Sequence, residues 1–318
     1  MQQLLSPKQV AKSMGVSESS LKRWCDQGTI PYTKTPGGHR RLRVGDVVRF
    51  LREKNRDLVD AEAIGLPSVT AEPADLLANP IDPLTAALAA GDEAEVRQII
   101  VNCYLAGKKV VHLCENLLTP AMHKVGDLWT CGSIEVYHER QACEIVNRTL
   151  YELRSMLPVP PASAPRAIGG APTRDNYRLA TAMVEMILVE AGWNATSLGS
   201  DLPYRTLSEA AQQTKPALMW LSLTATNPMK TGNGAPVLVD ELADFQKTLP
   251  DTTQLIVGGR ALAEAKIKTL PGIRICKRLS ELAELDPNST PVTFPATDAP
   301  TDPAAAGIDA SVAQQASS

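Results

Sequence analysis

Aromatic residues and histidine are scarce. Three Phe, four Trp and six Tyr make up 4% of the 318 residues, and the histidines are His39, His112, His123 and His138. Everything beyond residue 138 therefore has no imidazole to offer a metal or a proton. The six cysteines (Cys25, Cys103, Cys114, Cys131, Cys143, Cys276) form no CxxC pair. With no tight spacing either, they read as reduced, mostly buried thiols. His123, Cys131 and His138 do not recur at metal-ligand spacing, so no metal site is expected. RAIGGAP stops short of a full GxGxxG, and no phosphate-loop signature occurs. Glu135, Glu139 and Glu144 share a helix as a solvated face. No nucleophile is paired with a base, so neither catalytic residues nor enzyme activity is expected. No apolar run is long enough to span a bilayer, and no leader pattern follows Met1. The expectation is a cytoplasmic protein without membrane contact.

Charge is nearly balanced overall, at 32 basic against 35 acidic residues, but not along the chain. Residues 1–55 hold eleven Lys or Arg and four acids, a net of +7, so the remainder sums to -10. A basic head on an acidic body points to a polyanion-binding module joined to something else.

Pattern and punctuation divide the body. Residues 56–80 contain three prolines and no sustained periodicity, which reads as a linker. Residues 81–157 read as four helices: IDPLTAALAA, DEAEVRQIIVNCYLAG, VVHLCENLLTPAMHKVGDLW and SIEVYHERQACEIVNRTLYELRSML. Asp82, Asp92 and Ser133 are expected as caps, Gly91 and Gly107 as punctuation, and a break at Cys131-Gly132. Short joints between them imply a four-helix bundle. PVPPASAP (158–165) is a stiff spacer. Over 166–286 short apolar runs (RAIGGA, NATSLG, ALMWLS, QLIVGG, IRICK) alternate with helical patterns. This is the signature of a doubly wound parallel α/β sheet of flavodoxin-like kind, whose ligands sit beyond the strand C-termini. Residues 287–318 are Pro, Ala, Ser, Thr and Asp with almost no large side chains, and disorder is expected.

The head has the form of a helix-turn-helix. Val10, Ala11 and Met14 give an apolar face, Gly15-Val16-Ser17 a tight turn with Ser17 as N-cap, and Leu21 and Trp24 an anchor. Ser19, Ser20, Lys22 and Arg23 are left outward, as base or phosphate contacts require. TKTPGGHRRLR then permits a hairpin carrying Lys34, His39, Arg40, Arg41 and Arg43, and a further helix with Asp46 as cap closes the module. These residues resemble the MerR-type winged helix, notably its Pro-Gly-Gly-His-Arg-Arg-Leu wing. The resemblance implies a double-stranded DNA operator as partner. MerR proteins proper dimerise through a long helix after the head. Here a proline-containing linker follows, so pairing of heads is expected from downstream domains.

MHKVGDLWTCGSIEVYHER within the bundle, followed by the sheet, resembles the CarH-like cobalamin-dependent photoreceptor repressors and the cobalamin module of methionine synthase. Cobalamin is the ligand the resemblance implies, clasped between bundle and sheet. The family's Trp-x9-Glu-His survives as Trp129 and Glu139, but Arg140 stands in place of His. Its (Asp/Glu)-x-His-x-x-Gly turn, where His holds cobalt from below, reads Asp175-Asn176-Tyr177 with Ala180 for Gly. Ser222-Leu223-Thr224, Gly258-Gly259 and the turn Leu198-Gly199-x-Asp201-x-Pro203 match. A neutral phenol is a poor cobalt donor. The expectation is a cleft retained while protein ligation is lost, with Tyr177 and Arg140 filling the old pocket, so no cofactor is assigned. The reading is a DNA-binding regulator, a repressor, that forms a homo-oligomer and answers a small-molecule or protein effector. Its alternatives are a true cobalamin-dependent repressor and, from another class, a corrinoid-carrying accessory protein for methyl transfer.

Overall fold

The computed structural model describes residues 4–67, 79–224 and 234–289, with side chains withheld from description at 234–237. The expected disordered tail lies outside the described residues beyond 289, as does much of the expected linker.

The head begins with β1 (Leu4–Leu5) and α1 (Pro7–Ser13), the latter started by a Ser6–Gln9 capping box. Gly15 takes φ +62, the left-handed conformation that lets the chain turn tightly into α2 (Glu18–Asp26). Ser17 caps α2 by accepting from the Ser20 amide at 3.2 Å, which supplies a partner for one of the orphan donors at the helix start. β2 (Thr33–Lys34) and β3 (Arg40–Arg43) form an antiparallel hairpin, and β1 pairs with the other edge of β3. α3 (Val44–Glu53) closes the head. Its first residue is Val44, so Asp46 is not its cap. The carboxylate sits within the first turn and takes Arg49 at 3.2 Å.

The start of the expected linker is packed. A 3-10 turn at Glu62–Ile64 buries Ala61, Ile64 and Leu66, and Asp60 pairs with Lys12 at 2.8 Å. Helices Ile81–Ala90, Glu93–Leu105, Thr119–Thr130 and Val136–Met156 follow; the first begins after Pro80, so Asp82 lies within its first turn and is not its cap. The third is entered through a short helix at Val110–His112 and a π-helical stretch at Leu113–Leu118, where one long helix had been expected. The last starts from a capping box of Glu135 with His138 rather than from Ser133. An acidic Glu135 oxygen can accept the orphan amide while the His138 ring reaches back, and Ser133 is left within the Cys131–Ile134 turn.

Strands β4 (Arg166–Gly170), β5 (Asn194–Ser197), β6 (Leu218–Ser222), β7 (Gln254–Gly258) and β8 (Arg274–Cys276) form an all-parallel sheet in the order β5-β4-β6-β7-β8. The chain order reverses between β4 and β6, and that is where open α/β sheets bind ligands. The helices between them include Arg178–Glu190, Tyr204–Thr214, Gly234–Lys247 and Arg260–Glu264. Both faces of the sheet are apolar, as a strand covered on each side requires. Met219, Leu221, Leu255 and Val257 belong to a cluster under one helical layer. Leu218, Trp220 and Ile256 join a second cluster that runs without interruption through the 81–157 helices into the head. Head and body therefore share a hydrophobic core. Gly45 on α3 lies so close to the backbone of Leu157 that a Cβ there would strike its carbonyl oxygen.

Candidate nucleic-acid interface and interdomain cavity

On the head, Ser19, Lys22, Arg23, Lys34 and His39 are exposed, and Ser20, Arg40, Arg41 and Arg43 are half-buried. Lys22 and Arg23 lie on the helix that Ser17 caps, and Ser17 Oγ also lies 2.9 Å from Ser19 Oγ and 3.0 Å from Ser20 Oγ. Arg40 is engaged within the head. It binds Asp26 at the end of α2 at 2.5 Å and lies over the Tyr32 ring at 5.3 Å, clamping the hairpin to the helix. Arg23 and Lys34 are exposed, and Lys22, exposed as well, lies 3.6 Å from Glu18 one turn back.

The head is held to the body through Arg52. Its guanidinium lies 3.9 Å over the Tyr104 ring, donates to the Lys108 carbonyl at 3.0 Å and faces Glu190 at 3.6 Å. Glu190 in turn accepts from the Val110 amide at 2.7 Å. Burial pushes the Glu190 carboxyl above its ordinary value, against the opposing pull of the Val110 amide and Arg52. Burial raises Glu185, on the same helix, in the same way; its carboxylate accepts from the Ser197 amide.

At the sheet's switch point the turn after β4 is tied down by Asp175, which is 4% exposed. Its carboxylate accepts from the Thr224 amide at 2.5 Å, from Thr224 Oγ1 at 2.8 and 2.9 Å, and from the Tyr177 amide at 3.2 Å. The turn after β5 joins the same knot. Asp201 Oδ1 accepts from the Arg174 amide at 2.7 Å, and the Asp201 amide donates to the Asp175 carbonyl. Both Arg174 and Asp201 have positive φ, at 73 and 57. The Asp175 carboxylate is thus spent on backbone and hydroxyl donors of neighbouring turns.

Tyr177 and Arg140, expected in the old pocket, are both exposed side chains. Tyr177 is 40% exposed at the start of the Arg178–Glu190 helix. Arg140 is exposed and meets Glu139 at 3.4 Å. Trp129 is exposed as well, at 49%. The physical reason is position: each lies at or near a helix start or end, where a long side chain reaches solvent without leaving its helix.

A cavity of about 880 Å³ opens beside this knot. Ser222 ends β6, Gly258 ends β7 and Gly259 follows it, and all three line the cavity together with Ala180. Gly259 has φ +130, and a Cβ would meet the Leu223 carbonyl, so glycine is required there. The wall opposite comes from Thr119 and His123 of the helical segment. Of the nine residues expected to hold a cofactor, Ser222, Gly258 and Gly259 converge on the cavity, Asp175 and Thr224 bind each other, and Trp129, Glu139, Arg140 and Tyr177 lie outside its lining. His123 was missed by sequence reasoning, as were Arg260, Lys266, Lys268, Lys277 and Arg278 at the same cavity. No local signal could have found them, because strands separated by tens of residues bring them together.

The cavity has room for a ligand of nucleotide size, yet the sheet side does not fit cobalt ligation. Position 177 offers a phenol turned to solvent, and the carboxylate beside it is engaged. Among the described residues no three His, Cys, Asp or Glu side chains come together as a metal-holding group. Among them, too, no helix is long and apolar enough to cross a membrane.

Residues 4–55 match the helix-turn-helix domain family, and residues 80–154 match the B12 binding domain family. The chain therefore joins a helix-turn-helix domain to a B12 binding domain. It is similar to the HTH-type transcriptional repressor CarA of Myxococcus xanthus, with 28% identity over 109 residues, 34% of this chain and 36% of that protein. It is also similar to trimethylamine corrinoid protein 1 of Methanosarcina acetivorans, with 26% identity over 142 residues, 43% of this chain and 65% of that one. The chain thus spans under two thirds of either relative. Among solved structures, the Methanosarcina barkeri monomethylamine corrinoid protein aligns with a TM-score of 0.46 and 19% identity, covering 64% of this chain and 94% of that one.

Proposed function

We propose that this protein is a DNA-binding transcription regulator, acting as a repressor, whose B12-type body serves as effector and assembly module without a cobalt ligand from its sheet. The observation that carries the reading is the pairing of exposed Lys22 and Arg23 on a capped helix with a head clasped to the body through Arg52. A ligand that shifts the body would move the head, because the two share one core. The divisions 1–55, 56–80, 81–157, 166–286 and 287–318 serve as working domains. The hairpin acts as a wing over the phosphates, and the 81–157 helices form a four-helix bundle capping the cavity. Self-association through bundle and sheet presents paired heads to a palindromic operator. The site binds rather than turns over.

One observation favours a second reading, a repressor that does depend on cobalamin: His123 brings an imidazole to the cavity wall from the helical side. The corrinoid-carrier reading leaves the basic head without a task. The test is duplex binding by the full chain across a salt series. A steep fall in affinity with salt is expected. Negligible affinity, indifferent to salt, would return the protein to the carrier class.

A further inference from the structure

Cations crowd one side of the cavity. Arg260, Lys266, Lys268, Lys277 and Arg278 line it, and no Asp or Glu does. Arg260 is shared with Glu264 at 3.3 Å, whereas Lys266, Lys268, Lys277 and Arg278 make no ion pair among the described residues. Carboxylates do lie nearby. Glu281 accepts from the Lys277 and Arg278 amides, and Glu115 takes the Ser280 amide. They are occupied with backbone donors at a turn. Deeper in, the lining is apolar: Val184, Trp220, Ile256, Leu262 and Leu282. A cleft with an apolar floor and a cationic mouth selects a ligand with a flat, weakly polar end and a multiply charged anionic end. Thr119 and His123 add polar contacts from the facing helix.

We propose that this cavity binds a nucleoside di- or triphosphate, with the base on the apolar floor and the phosphates among Lys266, Lys268, Lys277 and Arg278. The proposal rests on reading the cavity as the effector site. Charge decides between sources: a corrinoid carries a single phosphodiester in its nucleotide tail, too little anion for four cations without an ion pair among the described residues, whereas a polyphosphate matches them.

Isothermal titration of the full chain in metal-free buffer, with ATP, ADP, adenosine and inorganic phosphate as probes, tests it. ATP and ADP should bind at least about tenfold more tightly than adenosine or phosphate. The triple substitution Lys266→Gln, Lys268→Gln, Lys277→Gln should weaken ATP at least about tenfold while thermal midpoint and duplex affinity stay unchanged. ATP binding no tighter than phosphate, or untouched by the triple change, overturns the proposal. So does a triple variant that loses duplex affinity and keeps ATP, since those cations would then serve DNA. A parallel titration with adenosylcobalamin separates the two ideas. Uptake of the corrinoid without ATP defeats this inference and leaves the effector-site reading standing. Uptake of ATP alone supports the inference and removes the corrinoid from the account.

Discussion

The head and the switch-point cavity are built in opposite ways. The head's working parts are local: cap, turn, helix and hairpin fall within residues 6–43, and each is set by neighbours a few positions away. The cavity draws on residues from Thr119 to Leu282 and has no short stretch that defines it. The comparison teaches that a helix-turn-helix, whose turn and cap are local, can be read from spacing. A cleft at strand ends declares little beyond the glycine positions that its backbone geometry demands.

The sharpest way to test that contrast is to disable one region and leave the other intact. Lys22→Ala with Arg23→Ala should cost about 100-fold or more in duplex affinity and lower the salt slope by about two, read by fluorescence anisotropy over a salt series. Thermal stability and cavity occupancy should not change. An unchanged slope would show that the phosphates are held elsewhere on the head.

Next in size is Gly259→Val, which drives a side chain into the Leu223 carbonyl at a backbone conformation that branched residues avoid. Loss of about 3 kcal/mol or more is expected by denaturant unfolding, together with the cavity. Asp175→Ala strips from the switch-point knot the acceptor of three donors, the Thr224 amide, the Thr224 hydroxyl and the Tyr177 amide. It should cost about 1–3 kcal/mol, and Asp175→Asn less. Equal stability of Asp175→Ala and the parent would mean that water replaces the carboxylate and the knot is incidental. On the head, Ser17→Ala should cost about 1 kcal/mol through the lost cap.

The smallest effect concerns pH at the junction. Burial raises the folded-state pKa of Glu185 and Glu190, so the folded chain holds protons that the unfolded chain has released. Stability therefore falls as pH rises from the ordinary carboxylate value of 4.5 through the raised folded value, and the contribution is present below that window. Glu185→Gln with Glu190→Gln should flatten this slope in urea midpoints measured across mildly acidic pH. A slope that steepens would show that the pairing with Arg52 outweighs burial.

How much was legible follows from the same contrast. The parallel sheet could be anticipated, because runs such as LMWLS and QLIVG are largely apolar and alternate with helices. The caps at Ser17 and Asp92 were legible because one oxygen and one nearby amide decide them. The supposed caps at Asp46 and Ser133 failed because the chain enters those helices earlier in one case and later in the other, where Arg43 and Glu135 have the extended backbone a cap needs. Arg52 could not be read as a clasp, since its partners lie more than fifty positions away on three other segments. Tyr177 could be recognised in place of an imidazole, but its exposure and the bonds between Asp175 and Thr224, 49 positions apart, could not be read from the local pattern.

The central claim, gene control by a B12-type body whose protein gives cobalt no ligand, is tested most directly by electron paramagnetic resonance of the nitrogen-15-labelled full chain mixed with unlabelled cob(II)alamin. The account predicts that any axial nitrogen coupling seen is that of ordinary nitrogen from the corrinoid's own base, with duplex binding intact. A coupling pattern from labelled protein nitrogen, abolished by His123→Ala, would contradict it.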